Sequence, residues 1–156
     1  MFIGKSEVKA SETGSDNQKI YQQIVDEVKS EVIPVDSDEP ASITILKDIE
    51  NGTFAKSPII GVGSYKITRS GKTVTMNATG ECLNCTFNTV NYKISTGVSA
   101  VTGSVYPASK FLKVTRSWSY LLLGTYTVVF SGQAYTSAGP GTILSGNKTV
   151  FIPSGS

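Results

Sequence analysis

Apolar residues change their spacing once along this chain, and that change divides it in two. Ile20, Ile24, Val28 and Val32 recur at four-residue steps, with Tyr21 and Val25 widening the stripe. That is the period of a single buried helix face. Ser15 and Gln18 have the spacing of a capping box, and Asp16 sets a carboxylate at the positive end of the helix dipole. Pro34 closes the pattern, because the residue before a proline is pushed out of the α region. An amphipathic helix is expected over 15–33. Residues 1–14 carry no period and read as a flexible lead-in. Residues 34–41, with Val35-Asp36-Ser37-Asp38-Glu39 between two prolines, read as an acidic linker.

From residue 42 the period falls to two. Ile43 and Ile45 alternate in a first strand, and Tyr65 with Ile67 in a second. Ser70-Gly71-Lys72 then turns the chain into Val74, Met76 and Ala78. Val90, Tyr92 and Ile94 share a face, and a strand over 98–106 stops at Pro107. Leu112, Val114, Arg116 and Trp118 alternate next, then Tyr126, Val128 and Phe130, and last Val150 and Ile152. About eight short strands follow one another with no helical period between them, the pattern of an antiparallel sandwich or barrel. Residues 42–156 are therefore expected to form one mostly β domain, an antiparallel β-sandwich preceded by a single α-helix.

One stretch points to a family. Leu123-Gly124-Thr125-Tyr126-Thr127-Val128-Val129-Phe130-Ser131-Gly132 resembles the penultimate strand of bacterial immunoglobulin-like domains, in which a Gly and then a Tyr open the strand. The resemblance implies an Ig-like sandwich, secreted or displayed on the surface of a Gram-positive bacterium, of an uncharacterised family. It makes Tyr126 the structural corner tyrosine, whose hydroxyl bonds back across the corner. Val128 stands where antibody domains carry their second cysteine, so no disulfide between sheets is implied. Trp118 comes too late in the chain to be the central tryptophan of an antibody-type domain.

Charge sharpens the division. Residues 1–50 hold five lysines against eleven carboxylates, a net of −6, while residues 51–156 hold nine Lys or Arg against Glu81 alone, a net of +8. Only 17% of the chain is charged, and hydroxyl and amide side chains supply much of the polar surface, a mix suited to pleated, half-buried faces. The longest apolar run of note, Leu121-Leu122-Leu123, is far short of a transmembrane segment. No export signal is visible at the N-terminus.

Histidine is absent, which removes Ser-His-Asp and Cys-His catalysis and His-based metal binding. The β body offers one carboxylate, Glu81, where glycoside hydrolysis needs a pair. Asp36-Ser37-Asp38-Glu39 lacks the Gly turn and distal Glu of a calcium loop. Gly61-Val62-Gly63 has no third glycine and no helix after it, so it is no dinucleotide fingerprint. Ser-Lys chemistry has residues to draw on but no arrangement pointing to it. No catalytic residue, cofactor or metal is expected, and the chain reads as a non-enzyme. The sequons at Asn51, Asn77, Asn84 and Asn147 are of the number that a chain rich in Ser and Thr carries by chance.

Cys82-Leu83-Asn84-Cys85 has three readings: a disulfide stapling a hairpin turn, a pair of free thiols, or a redox or metal site. The strand-like flanks lack the helix N-terminus that activates a redox cysteine, and two thiols are half of a zinc site. A disulfide is the leading expectation, and it favours a home outside the cytoplasm. Lys66, Arg69, Lys110, Lys113 and Arg116 are candidate contacts for an anionic polymer or surface, or simply solubilise the sheet. The acidic helix docking on this basic body as a lid is a third reading. Trp118 and Tyr120 share parity and, with Tyr106 and Tyr135, could stack on sugar rings, although a lone Trp beside an apolar run is more often core.

The expected function is a non-catalytic secreted or cell-surface module that binds or supports. The alternatives are a carbohydrate-binding module using Trp118 and nearby tyrosines, and a basic β domain for an anionic polymer. Candidate partners are a cell-wall polymer, a glycan or a protein, with no strong nucleic-acid pattern.

Overall fold

The computed structural model describes residues 5–33, 39–49, 55 and 57–154, with residues 5–15 as helix backbone only. Helix α1 spans Lys5–Ser30, so it starts well before the Ser15 cap expected from sequence. The described part of the lead-in is helical. Lys, Glu and Ala over 5–12 are good helix formers, and Gly14 costs only about 1 kcal/mol in a helix interior. The helix also stops short of residue 33. The Ser30 hydroxyl donates to the Glu27 carbonyl at 2.9 Å, and β-branched Val32 and Ile33 leave as strand β1 (Val32–Ile33). The acidic stretch 34–38 lies outside the described residues.

Nine further strands follow: β2 (Ala41–Lys47), β3 (Ile59–Ser70), β4 (Thr73–Cys82), β5 (Phe87–Ser95), β6 (Ala100–Val105), β7 (Phe111–Ser119), β8 (Gly124–Thr136), β9 (Gly139–Ser145) and β10 (Asn147–Ile152). They form one sheet in the order β1-β10-β8-β9-β2-β3-β4-β7, with β5 also on β8 and β6 outside β5. All pairs are antiparallel except β1 with β10, so the sheet is mixed rather than wholly antiparallel.

Three strands depart from the sequence pattern. β3 begins at Ile59 instead of Tyr65, carrying Gly61-Val62-Gly63 through a ladder with β4 that runs from Gly61↔Cys82 to Ser70↔Thr73. β9 has no counterpart in the sequence pattern; it opens on Gly139-Pro140-Gly141, with Pro140 near its start, where a missing N–H is tolerated. β8 is longer than its Tyr126–Phe130 pattern and serves as a pivot. One of its edges pairs with β10 over Gly124–Val128 and with β9 over Gly132–Thr136, and β5 lines the other. Gly132 sits at that crossing with a positive φ of 148°, and a Cβ there would collide with the Asn91 carbonyl of β5.

The sheet curls so that β3 faces β8. Tyr65 of β3 is buried, its ring 6.4 Å from Phe130. Its hydroxyl donates to the carbonyls of Val128 (3.0 Å) and Gly146 (2.7 Å). Ile43, Ile45, Val74, Met76, Phe87, Ile94 and Ile143 complete the same apolar interior. The free edges meet where Arg116 of β7 donates to Tyr92 Oη of β5 (2.6 Å) and to the Thr102 carbonyl of β6 (3.2 Å). No described helix residue belongs to this core. α1 lies against β2 and β9, tied by Glu31 accepting from the Ser42 amide (2.7 Å) and hydroxyl (3.1 Å).

Candidate functional site

The residues singled out from sequence do not converge on one place. Cys82 and Cys85 are disulfide-bonded across the β4–β5 turn with Cα atoms 5.2 Å apart. Asn84, at φ 56°, supplies the left-handed residue that the turn requires. The disulfide is as expected, but the hairpin over 73–94 is not: β4 pairs with β3 and β7 and β5 with β6 and β8, so the bond staples a turn that carries the chain from one part of the sheet to the other.

The basic set splits up. Lys66 and Lys113 stand exposed on the outer face of β3-β4-β7 among Asn77, Thr79 and Thr115. Lys110 is paired with Glu81 at 3.3 Å, with its ammonium 5.7 Å above the Phe111 ring. Arg116 points inward and closes the seam with β5 and β6, so it serves the fold. Among the described side chains, no helix carboxylate reaches any of these cations. Asp26 and Glu27 accept from Gln22 and Gln23 one helical turn back, and Glu31 is taken by Ser42. The helix covers β2 and β9, not the basic residues.

The rings do not form a platform. Tyr120 is buried, its ring stacked on Tyr126 with centroids 4.0 Å apart and its hydroxyl donating to the Thr96 carbonyl at 2.7 Å. Burial, with the neighbouring Tyr126 adding to it, raises the Tyr120 pKa, while Trp118 works against the rise. Trp118 packs against the core. Its indole N–H is buried beside the Tyr120 hydroxyl without a hydrogen bond of ordinary geometry. Tyr106 and Tyr135 are exposed but lie toward the opposite ends of β6 and β8 from this pair.

What the structure does assemble is an end that the sequence reading passed over. Three loops meet there: Gly71-Lys72 between β3 and β4, Thr96–Ser99 between β5 and β6, and Tyr120–Leu123 between β7 and β8. The Tyr120 amide donates to the Lys72 carbonyl at 3.0 Å, and the Tyr120 hydroxyl reaches Thr96, so one residue joins all three. Leu121, Leu122 and Leu123 project from this end at 89%, 73% and 60% exposure, with Val98 beside them at 68%. Arg69 and Lys72 stand at its base. Arg69 Nη1 donates to the Gly71 carbonyl (2.9 Å), and Lys72 Nζ to the Leu121 carbonyl (3.3 Å). Tyr126 donates to the Leu122 carbonyl at 2.7 Å, the backward bond expected of a corner tyrosine.

The signal was present in the sequence, since three leucines in a row between a tyrosine and a glycine break the alternation of β7 and β8. Such a run cannot bury all three side chains on one face of a sheet.

The described residues contain no group of three or more His, Cys, Asp or Glu placed to hold a metal ion, and no helix long and apolar enough to cross a membrane. No protein family, no curated protein and no solved structure matches the chain.

Proposed function

We propose that this chain is a non-catalytic binding module, a β-sandwich of Ig-like character that works outside the cytoplasm and docks a partner through its leucine-bearing end. The sandwich reading is supported by the facing of β3 on β8 and by the Tyr126 bond to the Leu122 carbonyl. An oxidised Cys82–Cys85 pair supports an extracytoplasmic home, where disulfides persist.

The single observation that carries the docking reading is the exposure of Leu121, Leu122 and Leu123 together on a braced loop. Scattered exposed leucines are ordinary, but a contiguous apolar end on an otherwise hydroxyl-rich surface marks a contact site. The opposite end also exposes Tyr106, Phe111 and Leu83. There the apolar side chains are spread over three segments, and Lys110 is paired with Glu81.

The test is retention of the intact protein on a phenyl-agarose column at high salt. The variant L121S/L122S/L123S elutes much earlier than the wild type at an unchanged unfolding temperature. Equal retention of the two proteins removes this end from the role.

A further inference from the structure

We propose that the partner of the leucine-bearing end is an anionic lipid bilayer, into whose surface Leu121, Leu122, Leu123 and Val98 insert while Arg69 and Lys72 meet the headgroups. The proposal rests on the docking reading above and gives it a ligand.

The first support is how the loop's polar backbone is paired. An apolar phase offers no water to peptide groups, so an inserted loop must bring its partners with it. The Leu121 carbonyl is taken by Lys72 Nζ and the Leu122 carbonyl by the Tyr126 hydroxyl. The Val98 loop is paired in the same way. Its Val98 and Ser99 amides donate to Thr96 Oγ1 (3.4 and 3.0 Å), and the Thr96 amide donates to the Ser99 carbonyl (2.9 Å). The Thr96 carbonyl is held by Tyr120. The Leu121 and Leu122 carbonyls are thus held from behind by side chains, which leaves the leucine side chains free to face outward.

The second support is charge. Among the described residues this end carries Arg69 and Lys72 and no carboxylate. The described acids outside the helix are Glu81 at the far end of β4, Asp48 past the end of β2, Glu31 against Ser42, and Glu39, whose carbonyl takes Lys148 of β10. A long cation set behind an apolar tip keeps its charge in the headgroup layer while its stem lies along apolar surface. Positive charge near an anionic leaflet adds attraction that falls away with salt. The third support is shape. The apolar residues project from loop tips at the end of the molecule, so they suit entry into a fluid interface better than closure against a flat protein face.

The experiment is flotation of the full chain with vesicles of phosphatidylcholine alone and of phosphatidylcholine mixed with phosphatidylglycerol, at low and at high salt. The wild type is expected to float with the anionic vesicles and to be weakened by salt. L121S/L122S/L123S is expected to lose at least about tenfold in partition. V98S, which leaves every named hydrogen bond in place, loses less but measurably, and R69Q loses roughly fivefold on anionic vesicles only. Each variant's near-ultraviolet circular dichroism must match the wild type's, and V98S keeps the test decisive if the triple variant misfolds. A wild type that stays with neither vesicle overturns the proposal, as does flotation untouched by the leucine and valine changes. If flotation fails while phenyl-agarose still separates wild type from triple variant, the docking end stands and the bilayer does not. If both fail, both readings fall.

Discussion

Tyr65 shows how much one side chain can settle. Its ring fills the centre of the interior, and its hydroxyl shares one proton between two buried carbonyls contributed by β8 and by the Gly146 junction. Replacing it with Phe keeps the packing and strands those carbonyls, a loss of about 1–3 kcal/mol. Thermal unfolding of Y65F should fall by about 2–4 °C for each kcal/mol lost. An unchanged midpoint would show that the two hydroxyl bonds contribute nothing. Burial raises the Tyr65 pKa, with the Glu31 carboxylate adding to the rise and Ser145 opposing it. The sign follows: the tyrosine's contribution is complete below its unfolded value near 10.0 and is lost as pH climbs beyond it. Y65F should therefore lose stability less steeply than the wild type in alkaline titration.

Single residues also mark where sequence reading succeeded and failed. The Tyr126 bond to the Leu122 carbonyl is of the kind a sequence can suggest, because it joins residues four apart in the chain. The bonds of Arg116 are not. A charged side chain at an inward position looks like a surface cation until the partner strands β5 and β6 are in place to receive it. Tyr120 and Trp118 shared parity as expected, but parity does not say which face is the inside.

Among elements, the strands with clean alternation (β4, β5 and β7) were readable because each buries one face. β9 was hidden by Gly139-Pro140-Gly141, since turn residues and strand residues look alike where a backbone passes close to its neighbours. Gly141 does so, with no room for a Cβ beside Ile60 and Ile45. The start of α1 is not legible because residues 5–14 carry no apolar period in the sequence. The charge pattern suggests a lid on the basic body, but charge alone does not place a helix, and α1 lies over β2 and β9.

The turn from β4 to β5 gives the prediction proper to this scale. The Cys82–Cys85 bond closes so short a loop that its entropic contribution is only about 1–2 kcal/mol. The variant C82S/C85S should remain folded, with a far-ultraviolet spectrum like the wild type's and an unfolding midpoint lower by about 2–8 °C. Complete loss of structure would show that the bond governs folding instead of trimming one turn.

For the molecule as a whole, the absence of histidine and the bonded cysteines leave few groups to titrate near neutrality. The unfolding temperature should therefore be nearly flat from about pH 6 to pH 9. A steep change inside that window, measured by calorimetry, would mean that some group is far from its ordinary range. Above about pH 10 stability should fall, because Tyr65, Tyr120 and Tyr21 all have raised pKa values, chiefly through burial.

The pairing of first strands with last has a consequence for how such a chain is born. Ile43 finds Ser145, and Val32 finds Asn147, so β2 must wait for roughly a hundred residues to emerge before its second edge is covered. Until then a nascent chain presents a bare, hydrogen-bond-hungry margin to any neighbour. A polypeptide threaded through a membrane pore before it folds, and released all at once on the far side, would be spared that delay.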